Sequence, residues 1–194
     1  MLKAIAFAAA VCLCAAGASA APKTYKLDPD HTIVAFLVDH IGYAKTLGRF
    51  NEVSGSFVYD EETQTLSNLR VVVETASVDT NHQRRDDHVR NKDFLNVTQY
   101  TQMIFEADGG VPESRTEGTV PGTLTLLGQT RPLTLRVTLN KSDVYPFGHS
   151  RHTLGISARA AVNRSAYGMT YGVAAGMVGD VVDIIIETEA IRQD

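Results

Sequence analysis

The tightest constraint on this chain is a repeat of two. Between Leu133 and Asn140, the residues Leu133, Leu135, Val137 and Leu139 alternate with Thr134, Arg136, Thr138 and Asn140. One apolar and one polar face follow if the segment is extended, whereas a helix needs apolar residues every three or four positions. The alternation recurs along the chain. Val34, Phe36, Val38 and His40 share a face over Ile33–His40, and Phe57 and Tyr59 share one in a strand from about Arg49 to Asp60. Leu69, Val71 and Val73 alternate with Arg70, Val72 and Glu74; Met103, Phe105 and Ala107 form another face, as do Val120, Gly122, Leu124 and Leu126. Two further strands are expected over about Thr153–Asn163 and Val181–Ile191. Turn-forming runs such as Asp108-Gly109-Gly110 and Gly128-Gln129-Thr130-Arg131-Pro132 separate most of them. Eight short strands with short connections predict an all-β, antiparallel barrel or sandwich.

Three stretches leave this pattern. Asn81–Phe94 is polar and charged, with Val89 and Phe94 its main apolar residues, and a short helix is expected over about Arg85–Asn91. Asp86 and Asp87 suit its N-terminus, where the helix dipole favours acids. Tyr145–His152 reads as a loop, and Tyr167–Gly179, rich in Gly, Ala and Met, links the last two strands.

Residues 1–20 carry the marks of a secretory signal peptide: Lys3, an apolar core from Ala4 to Ala16, and Ala18-Ser19-Ala20 before the expected cut after Ala20. Both cysteines, Cys12 and Cys14, lie inside it, so the mature domain, 21–194, is expected to be thiol-free. That excludes disulfides, thiolate metal sites and cysteine nucleophiles. No apolar run reaches the roughly 20 residues of a membrane helix. A net charge of -4 without a basic block argues against a nucleic-acid partner. A periplasmic, non-spanning domain is the expectation, with a homodimer open to a barrel of this kind.

Chemistry-bearing motifs are sparse. The chain has no Gly-x-Ser-x-Gly elbow, phosphate-cradling glycine loop or His-Glu-x-x-His, so it reads as a non-enzyme. None of its polar clusters demands a metal or an organic cofactor. His149 and His152 read as parts of a surface loop, and His31 as hydrogen-bonding its own turn beside Asp28 and Asp30. His40, at a strand end on the inner face, either orients a ligand head group or caps a core. Arg84-Arg85-Asp86-Asp87-His88 is either a solvated loop or a lid over one barrel end, which Asn163-Arg164-Ser165 could meet. The candidate polar mouth is therefore His40, Arg85, Asp86, His88, Asn163 and Arg164. Val34, Phe36, Val38, Phe57, Leu69, Val71, Phe105, Leu124 and Leu135 are the inward candidates, joined by Phe94 of the helical connection. Such residues can simply form a core. With aromatics at 7% and no Trp, however, volume is left for a cavity, and eight strands can close around one small ligand.

These residues resemble the YceI-like family. The likeness opens with Tyr25-x-Leu27-Asp28-x-x-His31-Thr32-x-Val34-x-Phe36-x-Val38-x-His40 and continues through Gly48-Arg49-Phe50, Gly55-x-Phe57 and Arg85-Asp86-x-His88 to Phe94. It closes with Gly122-x-Leu124-Thr125-Leu126-x-Gly128-x-Thr130-Arg131-Pro132-Leu133, Asn163-Arg164-Ser165-x-Tyr167-Gly168-Met169 and Val178-Gly179-Asp180-x-Val182. The resemblance implies an eight-stranded, lipocalin-like antiparallel barrel with one short helix. It also implies a long apolar pore for an isoprenoid chain, such as that of a quinone or a polyprenyl phosphate. Ala166 stands where the family usually has an acid, which weakens a head-group role there, and Gln102 where it usually has proline. The alternatives are a stress-related interaction protein with no dedicated lipid, a binder of fatty-acid-type amphiphiles, and a lipid hydrolase or isomerase.

Overall fold

A computed structural model describes residues 21–193; the expected signal peptide, residues 1–20, lies outside them. The period-two segments form strands β1 (Lys23–His40), β2 (Ala44–Phe50), β3 (Val53–Asp60), β4 (Thr65–Glu74), β5 (Val78–Asp79), β6 (Gln102–Ala107) and β7 (Val111–Pro112). Strands β8 (Glu117–Leu126), β9 (Gln129–Val144), β10 (His152–Asn163) and β11 (Val178–Gln193) complete the sheet, and the helix α1 (Gln83–Arg90) lies between β5 and β6. The sheet runs β11-β10-β9-β8-β6-β4-β3-β1, and β1 pairs back onto β11. All pairings are antiparallel. The eight-stranded barrel is closed, and closure removes the edges that would otherwise template aggregation.

Two expected boundaries shift. The single strand expected over Arg49–Asp60 is two, β2 and β3, broken at Asn51-Glu52. Together they follow β1 from end to end: β3 pairs with its first residues (Lys23↔Tyr59 to Lys26↔Ser56) and β2 with its last (Val34↔Phe50 to His40↔Ala44). On its other edge the end of β2 pairs with β5 (Arg49↔Asp79, Phe50↔Val78). The helix starts two residues before the expected Arg85. His82, in extended conformation, caps it through its backbone: the N–H groups of Arg85 and Asp86 donate to the His82 carbonyl.

β8 and β9 meet in a two-residue hairpin, Leu127-Gly128, with both residues at positive φ (50° and 70°). Such a turn matches the strand twist. Elsewhere β1 bulges: its ladder with β11 is interrupted between Leu27 and Thr32, and the Asp30 N–H donates to Asp28 Oδ1 to hold the extra residues.

Candidate functional site

Strand alternation sends one set of side chains inward, and here that set encloses a cavity of about 350 Å³. All nine expected pore residues border it: Val34, Phe36, Val38, Phe57, Leu69, Val71, Phe94, Phe105 and Leu124. Leu135, Ile184 and Ile186 continue the apolar wall. Two glycines keep the lumen open. A Cβ at Gly48 would lie 2.2 Å from Phe36 Cζ, and one at Gly122 would lie 2.6 Å from Phe105 Cζ. Each phenyl ring therefore rests against bare backbone rather than standing in the pore, a use of glycine that lets groups approach closely.

The two barrel ends differ. At one, where β1, β8 and β10 finish, α1 and the segments around it form a plug. Asp86 is buried and accepts hydrogen bonds from Thr80 N (2.7 Å) and Thr80 Oγ1 (2.6 Å). Arg85 turns back on the same residue, donating to Thr80 Oγ1 (2.8 Å) and its carbonyl (2.6 Å). His88 contacts Asp93 (3.1 Å) and packs edge-on against Phe94 and Tyr171. Arg164 is 2% exposed and donates to the carbonyls of Met169, Tyr171, Val178 and Gly179 at 2.7–2.9 Å. Its guanidinium also stands over the Phe94 ring. Burial pushes its pKa below the ordinary arginine value, and Asp180 offsets part of that.

This placement corrects the expected polar mouth. Arg164 borders the cavity, but four of its five N–H groups are committed to backbone. Arg85, Asp86 and His88 serve their own loop, and His40 and Asn163 are exposed at strand ends. None of these five borders the cavity. Buried connections must satisfy their own carbonyl and N–H groups, and these polar side chains do that work.

At the opposite end the hairpins β3–β4, β6–β8 and β9–β10 turn. Among the described residues, every exposed one that borders the cavity falls within Gly110–Glu117. The opening is therefore here. The segment is ordered: Glu113 N and Ser114 N donate to the Glu117 carbonyl, Leu139 N donates to the Thr116 carbonyl, and Gln64 Nε2 reaches the Ser114 carbonyl at 3.0 Å. Glu113 and Glu117 flank Arg136. Arg115, by contrast, makes no side-chain hydrogen bond or ion pair among the described residues. The only sequence signal for this rim was position, since the segment follows the Asp108-Gly109-Gly110 turn at the end away from α1.

Also at this end, Glu61 gathers Tyr25, Ser142 and His152 from three strands. Burial would push the Glu61 carboxyl up. The hydrogen bonds from Ser142 and Tyr25 and the His152 imidazole outweigh this and hold it below its ordinary value. Sequence reading did not bring Ser142, His152 and Glu61 together. A catalytic triad needs the acid on one imidazole nitrogen and the serine on the other. Here His152 Nε2 meets both Ser142 Oγ and Glu61 Oε1 at 2.9 Å, so the group is a clasp between strands. His31 bonds Asp28 as expected, at 2.8 Å. Among the described residues no helix is long and apolar enough to cross a membrane.

Comparison with known proteins matches residues 25–190 to the YceI-like domain. The chain is 35% identical over 176 residues to a UPF0312 protein of Yersinia enterocolitica, covering 90% of this chain and 89% of the other. It is 34% identical over 177 residues to Protein YceI of Shigella flexneri, covering 90% of each. Among solved structures, Burkholderia cenocepacia BcnA has the same fold, with a TM-score of 0.75 at 21% identity over 84% of this chain and 98% of that one. A polyisoprenoid-binding domain from Saccharophagus degradans aligns with a TM-score of 0.59 at 15% identity over 87% and 98%.

Proposed function

The chain belongs to the YceI-like domain family, and on that premise we propose that it holds the tail of a long-chain isoprenoid lipid, an isoprenoid quinone or polyprenyl phosphate, in the barrel cavity. It does so as a periplasmic carrier that leaves the lipid chemically unchanged. The observation that carries this reading is the cavity itself: apolar along its length, plugged at one end and open at Gly110–Glu117. The solved relative from Saccharophagus degradans, described as polyisoprenoid-binding, supports the ligand class. The pattern of residues 1–20 supports export.

Burying one methylene is worth about 0.8 kcal/mol. About ten buried tail carbons give ~8 kcal/mol, of the order of micromolar affinity before ordering costs. The wall thus sets affinity, and the rim at Gln64 and Ser114–Glu117 meets the head group. One observation favours a second reading, a fatty-acid-type amphiphile: about 350 Å³ is at the small end of ligand pockets, roughly 300–1,000 Å³.

Native mass spectrometry of protein exported by a bacterial host and purified without detergent tests both. A stoichiometric isoprenoid is the expected adduct, and a fatty acid would select the second reading. A bare chain, unchanged after incubation with quinones and polyprenyl phosphates, would overturn the carrier role in favour of an interaction protein.

A further inference from the structure

The plug end of the barrel displays apolar side chains that its own fold does not use. The turn from β1 to β2 is closed by the Tyr43 N–H, which donates to the His40 carbonyl (3.1 Å), and it carries a half-exposed Ile41 and a Tyr43 that is 90% exposed. Ile41 N donates to the Met177 carbonyl (3.2 Å), so the turn lies against the loop that leads into β11. That loop is folded on itself: Gly176 N donates to the Val173 carbonyl and Met177 N to the Gly172 carbonyl. It presents Ala174, Ala175 and Met177 to solvent. Leu47 and Val181, both exposed, continue the patch onto the outer wall on either side of β1. Contiguous apolar surface of this kind marks an interaction site.

Strain and charge say what covers it. Ile41 and Gly42 both have positive φ, 55° and 73°, in a turn whose first central position favours Asn. A β-branched side chain is strained there, so this isoleucine costs the free chain in backbone and in hydration alike. Around the patch stand cations without acidic partners. Arg84 of α1 and Lys92 just after it are exposed and make no hydrogen bond or ion pair among the described residues. Arg131, beside the β8–β9 hairpin, lies over the Tyr167 ring and meets no carboxylate among them. The nearby acids are occupied: Asp39 by the Gly42 N–H, Asp87 by Gln83 and Arg90, Asp93 by His88, and Asp183 by Lys45. Free positive charge therefore gathers at this end although the chain has a net charge of -4.

We propose that the α1 end docks on the surface of an anionic phospholipid bilayer. Ile41, Tyr43 and Met177 enter the headgroup boundary, and Arg84, Lys92 and Arg131 face the phosphates. Shape favours lipid over protein: side chains projecting from two neighbouring turns enter a soft interface, whereas a protein partner needs a recess matched to each. Tyrosine suits that boundary, with its ring apolar and its hydroxyl wet. Each cation close to an anionic surface strengthens binding roughly fivefold, and the apolar area buried adds to it. Docked this way, the barrel keeps its open rim away from the bilayer, so the contact holds the protein at a membrane without closing the pore. The surface lies outside the cavity, so this inference and the lipid reading fail separately.

The test is flotation of the exported chain, purified without detergent, with vesicles free of isoprenoid. Vesicles of equal parts phosphatidylethanolamine and phosphatidylglycerol should carry it up the gradient at low salt and release it at high salt. Vesicles of phosphatidylcholine should carry much less. Ile41→Asn with Tyr43→Ser should weaken binding roughly tenfold or more, while the thermal midpoint holds or rises because Asn-Gly is the preferred turn pair. Arg84→Gln with Lys92→Gln should weaken binding to the anionic vesicles roughly 20-fold. Phe147→Ser, which removes an exposed ring from the β9–β10 loop at the opposite end, should change nothing. No flotation of the unaltered chain, undiminished flotation of either double variant, or loss of flotation in Phe147→Ser overturns the proposal. A concentration-dependent dimer in sedimentation velocity that Ile41→Asn with Tyr43→Ser dissolves, without vesicle binding, gives this face to a second copy instead.

Discussion

Both ends of the barrel carry polar residues and use them in opposite ways. At the α1 end, Arg85, Asp86 and Arg164 are spent on Thr80 and on the carbonyls of Met169–Gly179. At the hairpin end, the backbone of Ser114–Glu117 is satisfied by Ser114 Oγ and the Glu117 carbonyl of the turn together with Leu139 N and Gln64 Nε2, which leaves the Arg115 side chain unengaged. A polar side chain near a cavity thus faces a ligand only if the local backbone does not need it. The long connections of a plug need many such partners, whereas a tight hairpin closes its own hydrogen bonds.

The largest effect expected concerns what lies between the ends. Val71 borders the cavity at mid-wall, so Val71→Trp fills the space a tail would occupy. Up to the ~8 kcal/mol of tail burial estimated above is lost, and co-purification with a long-chain quinone should vanish while the thermal midpoint stays close to that of the parent. Retained quinone in a folded Val71→Trp protein would put the ligand elsewhere and remove the meaning of both ends.

Next in size is the plug. Arg164→Met leaves four carbonyl oxygens without their donor, a loss of about 3 kcal/mol or more. In a domain of this length that lowers the thermal midpoint by roughly 6–12 °C. Arg115→Met, at the open rim, should move stability by less than about 0.5 kcal/mol. If Arg164→Met instead kept its stability and lost lipid, the α1 end would be the head-group end and the contrast would be inverted.

The strand alternation made the wall legible because it is a local property: Val34, Phe36 and Val38 declare their shared face without knowledge of any partner. The ends were not legible for the converse reason. The carbonyls that occupy Arg164 lie five to fifteen residues further on, in a segment with no period. Arg85 and Asp86 look like a charged lid in sequence because nothing there reveals that Thr80 holds both. Likewise Gly48 and Gly122 read as ordinary strand positions until the rings of Phe36 and Phe105 are seen against them.

The Glu61 clasp provides a smaller, pH-dependent comparison. Its carboxyl is held below the ordinary value of 4.5 in the folded chain, so the stability it contributes is complete above that value and is lost as pH falls through the lower folded pKa. The thermal midpoint of the parent should exceed that of Glu61→Gln by a few degrees at pH 7. The gap should hold to about pH 5 and close below 4.5. A gap independent of pH would mean that the clasp acts through packing alone.

Arg115 should show the smallest effect and the most informative one. An exposed cation at a pore rim is worth about 0–1 kcal/mol to an anionic partner, which is at most about fivefold in Kd. Arg115→Ala should therefore weaken a polyprenyl phosphate a few-fold, less so at high salt, and leave an uncharged quinone with the same tail unaffected. Glu113 and Glu117 beside it oppose a highly charged head, so even the parent should show only a slight preference for phosphate. Equal weakening of both lipids would make Arg115 part of the wall rather than the rim. A preference that Arg115→Ala leaves intact would shift head-group recognition to the hydroxyls of Ser114 and Thr116, which border the cavity at the same open end.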